Sequence, residues 1–196
     1  YSSDWIIGLS PTVRIEKVNA IIREIETAPD QRSLFGSSVF KVEKQELSRV
    51  LSGGIYGRRY CRYILLKIDL GYHGHTTKFL PPETISIEHI LPQTPDAGSK
   101  WVADFIAGER EIWTNRLGNL ILLSRRKNSA QGNLDYQYKK EKYFKKNVEL
   151  FSNSVRIFNT YNTWGMSDLK RNHKEMLVRF LSYYGVVLSD DDLKGF

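Results

Sequence analysis

An acidic residue and a histidine stand side by side at the end of a short β-branched segment, residues 85–93. Pro92 stops the segment, so the predicted strand carries Glu88 and His89 at its end. Histidine has a pKa near neutrality and is suited to take a proton from water. A carboxylate is a usual ligand of a hard divalent cation. The pair therefore predicts metal-assisted hydrolysis, with His89 toward the water and Glu88 toward the metal.

Two asparagines further along the chain complete the candidate site. Asn119 precedes a second short apolar run, and Asn128 lies in a short predicted helix. Phosphodiester hydrolysis needs an activated water, in-line geometry and neutralisation of the growing charge. A histidine and two asparagines on strand, strand and helix favour that chemistry. Each also has a structural alternative: His89 as a packed histidine between isoleucines, Asn119 as a turn residue, and Asn128 as a helix cap.

Positive charge is concentrated around this candidate site. The chain has a net charge of +7, and ten basic and three acidic residues lie between Arg110 and Lys146. That segment therefore accounts for the whole net positive charge of the chain, since the basic and acidic residues outside it are equal in number. A lysine run alone is typical of a solvated helix face. Beside a candidate phosphodiesterase site it favours a polyanionic partner, because phosphate neutralisation supplies most non-specific nucleic-acid affinity.

Composition sets the broad class of the protein. The chain has 196 residues, 41% hydrophobic and 26% charged, which suits one globular domain with a real core. No apolar run approaches the roughly 18–20 residues of a transmembrane helix, and no signal peptide is recognisable. The single cysteine, Cys61, excludes an internal disulfide and a Cys-rich zinc site. We expect a cytoplasmic protein without a membrane partner, and the missing initial Met suggests a fragment of a longer protein.

The elements expected to hold the site are mostly helical, and the predicted fold class is α+β. Residues 1–75 form a helical scaffold, residues 76–151 the catalytic core with a basic helix, and residues 152–196 a C-terminal helix packed on the core. Helical spacing of apolar residues predicts helices at 10–28, 43–51, 58–70, 101–107, 125–131, 136–151 and 167–184, and β-prone runs predict strands at 76–79, 85–88 and 120–123. His173, on the apolar side of the last helix, is predicted to be a core residue.

The motifs that carry this chemistry resemble those of a known family. Residues 88–92 (EHILP), Gly118-Asn119-Leu120 and Asn128 are similar to the three parts of an HNH, or ββα-metal, nuclease motif. More closely, IEHILPQ, NRLGNLILL, KNSAQGN and the following tyrosine–lysine run resemble the C-terminal HNH domain of GmrSD-type restriction enzymes and of SspE-like antiphage proteins. RYILLKID resembles the helix before that core. The resemblance covers most of the chain and is weakest before about residue 58.

The resemblance implies a role for each matching residue. His89 would be the general base, and Asn128 a ligand of Mg²⁺ or Mn²⁺ together with Glu88. Asn119 would orient His89 or brace the loop. Many HNH sites have Asp before the histidine. Because Glu88 is one methylene longer, it would bind the ion either directly or through a bridging water. The residues expected to contact nucleic acid are Arg125, Arg126, Lys127, Asn133, Lys139 and Lys140.

These observations predict a metal-dependent HNH DNA endonuclease or nickase of an antiphage, modification-dependent restriction system. The resemblance also implies an upstream NTPase or ParB-like regulatory domain, in the same or a partner chain, that would recognise modified or phage DNA. The sequence contains no feature that would recognise particular bases, so we expect the nuclease to cut DNA with low sequence specificity. A non-catalytic module that binds the DNA backbone, an RNase and a purely structural domain remain as alternatives.

Overall fold

The computed structural model describes residues 1–73, 84–124, 133–144 and 151–189. Within these ranges ten α-helices accompany one two-stranded antiparallel sheet, which confirms the predicted mostly helical α+β class. The helices are α1 (Ser2–Ile6), α2 (Pro11–Thr27), α3 (Gln31–Gly36), α4 (Lys44–Ser52), α5 (Cys61–Tyr72), α6 (Lys100–Asp104), α7 (Ala107–Trp113), α8 (Tyr136–Phe144), α9 (Ser152–Thr160) and α10 (Met166–Ser182), and the strands are β1 (Ile85–His89) and β2 (Leu120–Ser124). Over the described ranges, none of these helices combines the length and the apolarity needed to cross a bilayer.

The predicted N-terminal helices are present as α2, α4 and α5. At the start of α2 the Ser10 hydroxyl accepts a hydrogen bond from the backbone N–H of Val13, and Pro11 occupies the first turn. No residue of α2 is buried, and Ile15 is 60% exposed. The apolar spacing of α2 therefore predicted the helix correctly, but the helix has no buried face. Helices α4 and α5, by contrast, bury their apolar faces in the core.

Helix α10 lies at the centre of the packing around the site. Its apolar residues recur at helical spacing and are fully buried, among them Leu169, Met176, Leu177 and Phe180. The helix packs against α4, α5 and the 3-10 turn Leu117–Asn119 that precedes β2. The helix predicted at 167–184 is present as α10, and it supports the start of the second strand.

Four helices were missed by the sequence interpretation: α1, α3, α7 and α9. Helices α1 and α3 have only five and six residues, too few for a clear helical periodicity. Helix α7 is short and charged and buries only Trp113, so its periodicity is weak. Helix α9 is rich in Ser, Asn, Thr and β-branched residues, which have modest helix propensity. Tertiary contacts stabilise α9 instead: Ile157 and Phe158 are fully buried, and the N–H of Asn153 donates to a carboxylate oxygen of Asp69 at 2.8 Å.

Some predicted elements fall outside the described ranges. These are the strand at 76–79, the helix at 125–131 and the second half of the basic helix at 136–151. The described part of that basic helix is α8, and a separate helix, α9, begins at Ser152.

Candidate active site

The two strands bring the acid–histidine pair to the start of β2. Their antiparallel register sets Glu88 opposite Ile121 and His89 opposite Leu120. One further backbone bond, from the N–H of Ile90 to the carbonyl of Asn119 (3.0 Å), continues the pairing past the end of β1. Successive side chains of a strand point to opposite faces, so Glu88 and His89 leave the strand in different directions.

The turn before β2 is fixed by helix α10. The N–H of Gly118 donates to Nδ1 of His173 at 3.1 Å, and Nδ2 of Asn172 donates to the carbonyl of Gly118 at 2.7 Å. A Cβ atom at position 118 would lie 2.5–2.7 Å from the Cα, Cβ and N atoms of His173. Glycine is therefore needed here because a helix backbone packs directly against the turn.

Asn119 braces the loop that follows β1. Its side chain is fully buried, accepts a hydrogen bond from the N–H of Leu91 (2.8 Å) and donates to the carbonyls of Leu91 (2.9 Å) and Thr114 (2.8 Å). Its side chain thus contacts the backbone on both sides of the site. The resemblance implied two possible roles for Asn119, orienting His89 or bracing the loop, and its contacts with Leu91 and Thr114 are those of a brace.

The side chain of Asn115, which the sequence interpretation missed, contacts the His89 ring. Oδ1 of Asn115 lies 3.1 Å from Nε2 of His89 and accepts a second hydrogen bond, at 3.2 Å, from the amide of Gln93. The ring of Tyr56 packs edge-on against His89, with ring centroids 4.2 Å apart. Gln93 and Tyr56 are both exposed, so the cluster reaches the surface although His89 itself is buried.

Burial determines the charge of His89. Desolvation lowers the pKa of the imidazole to about 4, the hydrogen bond with Asn115 opposes this, and the nearby Lys139 charge adds to it. The ring is therefore neutral near pH 7. A neutral imidazole has one nitrogen with a free lone pair, so it can accept a proton.

Lys139 lies beneath the acid–histidine pair. Its ammonium donates to Oε1 of Glu88 at 3.2 Å and to the backbone carbonyl of His89 at 2.6 Å, and its side chain is 1% exposed. Desolvation raises the pKa of Glu88 and lowers that of Lys139, and in each case the attraction between the two groups opposes the shift. Desolvation thus outweighs the attraction for both groups.

The placement of Lys139 differs from the expected one along a DNA backbone. To reach a phosphate, its ammonium would have to leave two acceptors in the interior. Lys140 donates to the carbonyl of Tyr161 and to the side chain of Asn162, and the exposed Asn133 donates to Asp96 at 3.3 Å.

The structure therefore brings together Glu88, His89, Asn119 and Lys139, whereas Asn133 and Lys140 bond to other residues. The remaining predicted site residues, Arg125, Arg126, Lys127 and Asn128, lie outside the described ranges, and their roles stay predictions.

Weak sequence signals pointed to two of the three missed residues. Gln93 closes the same motif that contains His89, and Asn115 lies four residues before Asn119. Tyr56 comes more than thirty residues before the motif and carries no local signal, because only the tertiary fold brings it to the ring.

The donor set suits a hard cation held by few protein ligands. Across the described ranges, no three His, Cys, Asp or Glu side chains form a group that could hold a metal ion. Mg²⁺ commonly uses one or two carboxylates, with waters and substrate phosphate completing its shell. Glu88 supplies one carboxylate, whose Oε1 is bonded to Lys139. A directly bound ion would use Oε2 or displace the ammonium.

Comparison with known protein families shows which family the chain matches. A family model described as "GmrSD restriction endonucleases, C-terminal domain" matches residues 43–179, which is well over half of the chain and includes every residue of the candidate site. No curated protein and no solved structure shows significant similarity to the chain.

Proposed function

The chain belongs to the family of GmrSD restriction endonuclease C-terminal domains, and from this membership we propose that it is a metal-dependent HNH nuclease that cuts or nicks DNA with low sequence specificity. The family supports a nuclease domain, DNA as its substrate and a divalent-metal requirement. The HNH chemistry and the roles of individual residues are our proposal. The observation that carries it is the neutral, oriented His89 beside Glu88 at the end of β1.

In the proposed reaction, His89 accepts a proton from a water molecule while the water oxygen attacks phosphorus. The bond between phosphorus and the 3′ oxygen breaks, which leaves a 5′-phosphate and, after protonation by solvent, a 3′-hydroxyl. Asn119 keeps the strand end and its loop in place through its bonds to Leu91 and Thr114. The precise placement of the base relative to the phosphate is the larger part of the protein's contribution.

Glu88 and Asn128 are the residues that would hold Mg²⁺ or Mn²⁺. When bound, the ion supplies positive charge against the negative charge that develops on the phosphate and the leaving oxygen. Arg125, Arg126, Lys127, Asn133 and Lys140 would contact the phosphate backbone. We assign Lys139 to Glu88 instead, because its ammonium is buried against that carboxylate.

We also propose that a regulatory NTPase or ParB-like domain, in the same or a partner chain, selects modified or phage DNA. This fits a sequence that has an excess of basic residues between Arg110 and Lys146 and no recognisable base-reading motif. The location would be the cytoplasm, where such DNA is encountered.

A plasmid-nicking assay tests the proposal. Supercoiled DNA is incubated with the wild-type chain in Mg²⁺, in Mn²⁺ and in EDTA, and with the variants His89→Ala and His73→Ala. His73 lies at the end of α5 and bonds to Ser152, so it serves as the matched histidine control. We expect metal-dependent nicks that His89→Ala abolishes and His73→Ala retains.

Two outcomes would select a rival function. DNA binding without any metal-dependent nicks would indicate a non-catalytic backbone-binding module. Preferential cleavage of single-stranded RNA over duplex DNA, in a competition assay, would indicate an RNase.

A further inference from the structure

The contact between Asn115 and His89 carries information on which ring nitrogen of His89 holds the proton. Oδ1 of Asn115 is a carbonyl oxygen and can only accept hydrogen bonds. It lies 3.1 Å from Nε2 of His89 and also accepts from the amide of Gln93. Nε2 must therefore carry the proton in this arrangement. In a neutral imidazole the lone pair then belongs to Nδ1.

The backbone of Asn115 is itself hydrogen-bonded to a short segment of the N-terminal region. Its backbone carbonyl accepts hydrogen bonds from the N–H groups of Ile55 (2.9 Å) and Tyr56 (3.2 Å), and its neighbour Arg116 pairs with Gly54 in an isolated antiparallel bridge. The same short segment places the Tyr56 ring against His89. One connection thus positions two side chains that contact the imidazole.

We propose that Asn115 is the positioning residue of the site: it fixes the orientation and the tautomer of His89 so that Nδ1 is the nitrogen that takes the proton from water. This inference rests on the proposed function for its catalytic meaning. In the reaction, the water proton passes to Nδ1, the water oxygen forms its bond to phosphorus and the 3′ oxygen departs. The Nε2–H remains bonded to Asn115 throughout, and Nδ1 later releases its proton to solvent.

The tautomer can be measured without any nuclease assay. Long-range ¹H–¹⁵N correlation spectra of the ¹⁵N-histidine-labelled protein distinguish a protonated ring nitrogen from an unprotonated one. The chain has four histidines, and loss of a signal in His89→Gln assigns the relevant ring. We expect the Nε2–H tautomer at neutral pH in the wild type. An Nδ1–H tautomer would overturn the proposal, because Asn115 would then have to donate rather than accept.

Two substitutions at position 115 separate positioning from general support of the fold. Asn115→Leu preserves the backbone bonds but removes the acceptor, and we expect the single tautomer to be lost. Asn115→Asp keeps an acceptor oxygen, and we expect the Nε2–H form to be retained. Asn19→Leu, at an exposed position of α2, is the matched control and should leave the spectrum unchanged. An unchanged His89 tautomer in folded Asn115→Leu would refute the assignment. If Asn115→Leu does not fold, the tautomers of the wild type and Asn115→Asp decide it.

Kinetics then give the catalytic consequence. We expect Asn115→Leu to lower kcat for plasmid nicking on the order of 10- to 100-fold, as for other side chains that orient a site residue, with KM for DNA unchanged. Asn115→Asp should recover most of that loss. A tautomer change without loss of kcat would overturn the positioning role. If the wild type does not cleave nucleic acid at all, the proposed function fails, whereas the spectra still decide whether Asn115 sets the tautomer.

Discussion

Replacing Lys139 by methionine should destabilise the protein strongly although the residue belongs to a lysine-rich helix. The substitution keeps most of the side-chain volume and removes the charge. Breaking a buried ion pair by removing one partner costs about 3–5 kcal/mol, because the other charge is left uncompensated. The Glu88 side chain keeps 15% exposure and can be partly solvated, so we expect a value at the low end, about 3 kcal/mol. The lost hydrogen bond to the carbonyl of His89 contributes to this cost.

A double-mutant cycle isolates the contribution of the pair. Urea unfolding, followed by tryptophan fluorescence, gives the free energy of unfolding for Lys139→Met, Glu88→Gln and the double variant. Each single change leaves one buried charge without its partner, whereas the double change removes both. The double variant should therefore be less destabilised than the sum of the singles by at least about 1 kcal/mol. The matched control is Lys140→Met, whose partly exposed contacts should be worth less than about 1 kcal/mol.

Two results would refute this reasoning. A cost below about 1 kcal/mol for Lys139→Met would place the ammonium in solvent rather than against Glu88. Additive effects in the cycle would mean that the two groups do not interact.

Three further predictions concern the turn at Gly118, the loop that Asn119 braces and the buried carboxyl group of Asp69. Gly118→Ala should cost about 1–3 kcal/mol in urea unfolding through its collision with the backbone of His173, and an unchanged midpoint would contradict that contact. Asn119→Ala should lower the thermal midpoint more than Asn19→Ala does, because it leaves three buried backbone groups without a hydrogen-bond partner, at about 1–3 kcal/mol each. Equal midpoints of the two variants would argue against the bracing role. Burial raises the pKa of Asp69 from 3.8 to about 6, against the lowering effects of the Asn153 N–H and of nearby His73. The folded state therefore keeps a proton that the unfolded state releases between about pH 4 and pH 6, and the free energy of unfolding should fall by about 3 kcal/mol as pH rises through that window. Asp69→Asn should lack this fall, and a constant difference between the two proteins from pH 4 to pH 7 would contradict it.

The parts of the fold that the sequence predicted are those encoded locally. Alternating β-branched residues closed by Pro92 specify β1, and the regular apolar spacing of α10 specifies the helix that supports the turn at Gly118. The helices that were missed lack such patterns. In α9, for example, poor helix formers are held by the burial of Ile157 and Phe158, which only the assembled core provides.

The candidate site divides in the same way. Glu88 and His89 are adjacent in the chain, so their juxtaposition needed only one predicted strand. The partners of these two residues come from 26 and 51 positions further along the chain. Such contacts depend on how the helices pack, and no spacing within β1 anticipates them.

Lys139 nevertheless left a signal in its own helix. Tyr136, Lys139 and Tyr143 are spaced by three and four residues, so they share one face of α8, and all three are buried. The sequence interpretation grouped Lys139 with the basic residues expected to contact nucleic acid. Its position on the aromatic face of α8 predicts instead that the side chain is buried. A buried ammonium requires an acceptor, and the acid one residue before the candidate base supplies it. Lys139 of this segment is therefore internal and bonds to Glu88, whereas contact of the other basic residues with phosphate stays a prediction.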